Sequence, residues 1–76
     1  MKQRPYARDI AAAIRDALMI DPRVIGDDIG VSVQSGIATL RGSVQSLSAK
    51  KASSQTARDT VGVLRVINEL TLGDTS

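Results

Sequence analysis

The sequence predicts an α+β fold: one αββαβ domain over residues 6–72, with a three-stranded mixed sheet in order 1-2-3 and two helices packed on one face. Three observations predict it. Apolar residues recur at helical spacing near the N-terminus. They alternate with period two in two runs separated by Ser35-Gly36. A helical run of small residues then leads into a last alternation. Residues 1–5 and 73–76 lie outside these patterns and are expected to be flexible ends.

The first helix is expected over about residues 6–20, with Tyr6, Ile10, Ala13, Ile14, Ala17 and Leu18 inward and Arg8, Asp9, Arg15 and Asp16 elsewhere on the wheel. Pro22 stops it near Asp21, because the residue before a proline is biased away from helical geometry. DPRVIGDD connects onward, with Val24 and Ile25 as its inward anchors. Ile29, Val31 and Val33 form the inner face of a first strand, and Gly36 supplies the positive φ of a hairpin turn. In the second strand Ala38, Leu40, Gly42 and Val44 face inward, while Ile37, Thr39, Arg41 and Ser43 face outward.

Ser46 is the expected N-cap of the second helix, whose inward face is Ala49, Ala52, Ser53, Thr56 and Thr60. Such a face gains from close approach rather than from area. Gly42 is therefore expected to clear space for it on the sheet. Gly62 is expected to end the helix, after which Val66, Leu70 and Leu72 alternate along a third strand. A right-handed crossover places that strand parallel to the second.

Composition removes most chemistry. There is no cysteine and no histidine, which leaves no thiol nucleophile, imidazole base or usual zinc ligand. Ten basic and eight acidic residues are spread along the chain and the only aromatic residue is Tyr6, against the basic stripe and stacking platform of a nucleic-acid binder. No apolar run approaches a membrane span, and MKQRPYARDI lacks the apolar core of a signal peptide.

In these patterns the chain resembles the BON domain of bacterial osmotic-stress and nodulation proteins, from about Asp9 to Leu72. The hairpin reads G-I-A-T-L-R-G-S-V, with Gly36, Leu40, Gly42 and Val44 as its most specific positions. The end reads V-G-V-L-R-V-I-N-E-L-T-L, with Gly62, Val63, Val66, Asn68 and Leu70. Ala52 and Ala57 of the second helix fit as well. The chain shows one copy, and it has Thr56 and Thr60 where the family commonly has larger apolar residues.

The resemblance implies a non-enzymatic interaction module of the bacterial periplasm or cell envelope. Its expected partners are anionic phospholipid, an envelope protein or further BON copies, with no cofactor, metal or nucleic acid. Lys50, Lys51 and Arg58 are the candidates for contact with lipid headgroups, set against a merely solvated helix face. Ile37, Thr39, Arg41 and Ile67, on the uncovered side of the sheet, are the candidates for protein docking. Gly36, Gly42 and Gly62 are the structural glycines, and Gly30 marks a bulge or a close approach.

Asp21, Asp27 and Asp28 lack the alternating oxygen ligands and closing Glu of a cation loop. Asp9 and Asp16 lie seven residues apart on an exposed face and Asp27-Asp28 in a turn, so neither pair makes a catalytic site. Asn68, inward by parity, is expected to satisfy backbone groups at the strand entrance.

Overall fold

The computed structural model describes residues 6–24 and 28–73. Helix α1 spans Ala7–Met19, strand β1 Asp28–Gln34, strand β2 Ile37–Val44, helix α2 Leu47–Arg58 and strand β3 Arg65–Leu72. The sheet order is β1-β2-β3, with β1 antiparallel and β3 parallel to β2. This is the expected αββαβ arrangement. Ile25 and Asp27 lie outside the described residues, as do residues 1–5 and 74–76.

Both helices cover the face that buries Val33, Ala38, Leu40, Val44 and Leu70, α1 mainly over β1 and α2 mainly over β3. From α1 the core receives Ile10, Ala11, Ile14 and Leu18, while Ala17 is half-buried. Two expected members of that face are exposed. Ala13 points to solvent and Ala11 takes its place. Tyr6 is the N-cap, with extended rather than helical dihedrals, so helical spacing does not carry it inward. Its ring lies 5.5 Å from the Arg8 guanidinium.

The hairpin turns on two residues with positive φ, Ser35 at 51° and Gly36 at 79°, the pattern of a type I′ turn. Gly36 is held from outside as well, because a Cβ there would lie 2.8 Å from the Leu64 side chain. Its carbonyl accepts from the Leu64 N–H at 2.7 Å, which ties the entry of β3 to the turn.

Gly42 has a different reason from the expected one. Its φ is +128°, and a Cβ built on it would collide with the Asp28 carbonyl oxygen of β1 rather than with α2. The glycine serves strand pairing and not the helix. At Gly30 the ladder carries no bulge, since pairing runs without a break from Asp28 opposite Ser43 to Gln34 opposite Ile37.

Helix α2 starts as expected, with the Ser46 hydroxyl accepting from the Ala49 N–H at 3.0 Å. It ends earlier than expected, at Arg58 with Asp59 as C-cap, so Gly62 lies beyond it in a turn closed by the Val63 N–H on the Thr60 carbonyl. The fully buried face is Ala49, Ala52, Ser53 and Ala57, with Thr56 half-buried. Thr60 is outside the helix and donates its hydroxyl to the Thr56 carbonyl. Ser53 satisfies its buried hydroxyl on the Ala49 carbonyl at 2.8 Å.

Candidate functional site

The small face of α2 lets the helix settle beside β3, and one inward polar residue of the strand takes advantage of that. Asn68 Nδ2 donates to the Lys50 carbonyl at 3.0 Å and to the Ser54 hydroxyl at 2.7 Å. Asn68 Oδ1 accepts from the Leu70 N–H at 3.0 Å. The amide thus satisfies strand backbone, as its parity predicts, and it also clamps β3 to the helix.

A groove of about 370 Å³ opens over this clamp, lined by Leu47, Lys50, Lys51, Ser54, Gln55, Arg58 and Asn68. Lys50, Lys51 and Arg58 are brought together in it. Lys51 and Arg58 are exposed, whereas Lys50 and Ser54 are half-buried and flank β3 instead of pointing away from the sheet. No lining residue is acidic. The groove thus presents three cationic side chains beside the Ser54 hydroxyl and the Gln55 amide, a donor set suited to phosphate or carboxylate oxygens, while the Asn68 amide spends both its hydrogens within the fold.

Leu47, Ser54, Gln55 and Asn68 were not among the sequence candidates for this surface. A signal for part of it exists: an inward asparagine needs a partner on whatever covers the strand, and Lys50 and Ser54 are one helical turn apart. The sequence does not say that α2 covers β3 at that level.

The docking candidates also share one surface. Thr39 pairs with Ile67 across β2 and β3, Ile37 lies opposite Arg65, and Arg41 lies opposite Glu69. Arg41 Nε donates to Glu69 Oε1 at 2.7 Å, and both side chains are exposed. Among the described residues no helix lies over this face. Gly30 borders a shallow recess there with Ser32, Gln34, Thr39 and Arg41.

Asp21 is engaged elsewhere. Its carboxylate accepts from Arg23 Nε and Nη2 at 3.0 and 2.8 Å and from the Arg23 backbone N–H at 2.9 Å, and it lies 3.4 Å from the Thr56 hydroxyl. The Arg23 side chain is the main reason its pKa falls to about 2. Asp21 therefore joins the end of α1 to α2. Among the described residues no three potential metal ligands cluster, and no helix is long and apolar enough to cross a membrane.

A family model, the BON domain, matches residues 7–74. The chain belongs to the BON domain family. At family level a BON domain is a bacterial envelope-related, phospholipid-binding module, a binding family rather than a catalytic one. No curated protein matches the chain. In this BON domain the Gly36 turn, the Gly42 contact and the Asn68 clamp all lie within the matched residues.

Proposed function

We propose that this BON domain attaches to anionic phospholipid surfaces of the bacterial envelope, on its periplasmic side, through the groove between α2 and β3. One observation carries the reading: Lys50, Lys51 and Arg58 line a single groove that contains no acidic residue. At roughly 1 kcal/mol for each cation near an anionic surface, the three supply on the order of 3 kcal/mol, about a hundredfold enrichment. That is weak for one domain. Several copies on one chain or one assembly raise the avidity by about two to four orders of magnitude.

The isolated domain is expected to bind anionic vesicles weakly and in a salt-sensitive way, and neutral vesicles not at all. Lys51→Glu with Arg58→Glu changes exposed side chains and should abolish binding with the thermal melt unchanged. Lys50→Glu with Lys51→Glu should do the same, with a small loss of stability because Lys50 is half-buried. Tight binding that persists in high salt or survives both changes rules the groove out as the membrane contact.

A second reading, docking of a protein partner or another BON copy, is favoured by the row of Ile37, Thr39 and Ile67 on the uncovered sheet face.

A further inference from the structure

Hydroxyls along α2 and its exit place their hydrogens in different ways. Ser53 donates to the Ala49 carbonyl at 2.8 Å and Thr60 to the Thr56 carbonyl at 3.0 Å, while the Thr56 hydroxyl lies 3.4 Å from the Asp21 carboxylate. Ser54 has no such outlet. The carbonyl one turn back from it belongs to Lys50, and that oxygen already accepts from the helical N–H of Ser54 and from Asn68 Nδ2 at 3.0 Å, which fills both lone pairs. Asn68 Nδ2 also donates to Ser54 Oγ at 2.7 Å, so the hydroxyl is an acceptor on its strand side. Among the described residues its own hydrogen meets no acceptor, and it is left to turn into the groove that Ser54 lines. A hydroxyl that accepts one hydrogen bond donates a stronger one, because the first polarises it.

Cations flank this donor. Lys50 and Lys51 stand one helical turn before Ser54 and Arg58 one turn after, the spacing at which helical side chains meet. We infer that Ser54 is the hydrogen-bond donor of a phosphate site in the groove. A non-bridging phosphate oxygen takes the Ser54 hydrogen, Lys51 and Arg58 neutralise the group from either side, and Asn68 positions the hydroxyl. Donors at three levels of one helix lie in no common plane, so they fit a tetrahedral phosphate better than the planar fork of a carboxylate. Taken with the lipid reading, on which it rests for the source of the phosphate, this makes the groove a discrete headgroup site rather than a film of positive charge.

The test pairs two charge-matched monoanions with vesicles. Dimethyl phosphate, a soluble mimic of the lipid phosphodiester, should shift the amide signals around Ser54 when titrated into the chain, and acetate should shift them far less. Ser54→Ala should weaken both dimethyl phosphate binding and attachment to phosphatidylglycerol vesicles about tenfold, the size of one hydrogen bond to a charged group. Its salt dependence should stay that of the parent, because all three cations remain. Ser54→Thr keeps the hydroxyl and should restore binding, and melts of both variants separate a folding defect from a lost contact.

Vesicle binding that is unchanged in Ser54→Ala overturns the phosphate site and leaves the lipid reading standing. Equal shifts with acetate overturn the site as well. Dimethyl phosphate binding that Ser54→Ala weakens, in a chain that ignores vesicles, upholds the site for a soluble phosphate and overturns the lipid reading instead. A parent that binds neither overturns both.

Discussion

The two helices cover the same sheet by different means. Inward, α1 presents Ile10, Ile14 and Leu18, whose branched side chains fill the space above β1, while α2 presents Ala49, Ala52, Ser53 and Ala57. The first helix gains from apolar area, and the second from proximity. Because its face is small, α2 sits low enough for Asn68 to reach its backbone at Lys50 and its hydroxyl at Ser54. The groove candidates follow from that closeness. Outward, the contrast is one of charge: α1 alternates in sign and α2 is mainly cationic along its groove. The proposed lipid contact lies beside the helix that contributes least side-chain bulk to the core.

The largest effect should come from removing area under α1. Ile14 is fully buried, and Ile14→Ala is expected to cost about 2–5 kcal/mol. In a domain with roughly 5–15 kcal/mol of total stability, that shows as a large drop in Tm. The groove of the molecules that remain folded should still bind vesicles.

Adding bulk under α2 should cost less in stability and more in function. Ala57→Leu overpacks a fully buried position and is expected to cost about 1–3 kcal/mol. It also lifts the helix, so the Asn68 side-chain amide protons should lose protection from exchange and vesicle binding should fall. A variant with a parent-like Tm and an intact clamp would remove the argument from proximity.

The smallest effect concerns the polar link between the helices. The Asp21 carboxyl has a pKa of about 2 against an ordinary 3.8, so its contribution is complete above pH 4 and is lost as pH falls toward 2. Melts of the parent should be level with respect to this group at neutral pH and decline across that window. Asp21→Asn should remove that part of the acid decline. An unchanged acid profile in the variant would assign the decline to other carboxylates.

Element order, strand parity, the turn at Gly36 and the cap at Ser46 were legible in the sequence because each depends on neighbours within a few residues. Periodicity reports which way a side chain points along its own element, and that suffices for Ile14, Leu40 or Leu70. The positive φ of a turn glycine and the hydroxyl of a cap are local chemistry of the same kind.

What only the tertiary structure decided is what each element meets. Gly42 faces the Asp28 carbonyl of β1 rather than α2. Ala57 is buried, while Thr60 leaves the helix. Lys50 and Ser54 lie along β3, and three cations separated along one helix line a groove closed by Asn68 from a strand 14 residues beyond Ser54. No local rule fixes such pairings. They depend on how far one element lies from the next, and that distance is set by the packing of side chains contributed from both.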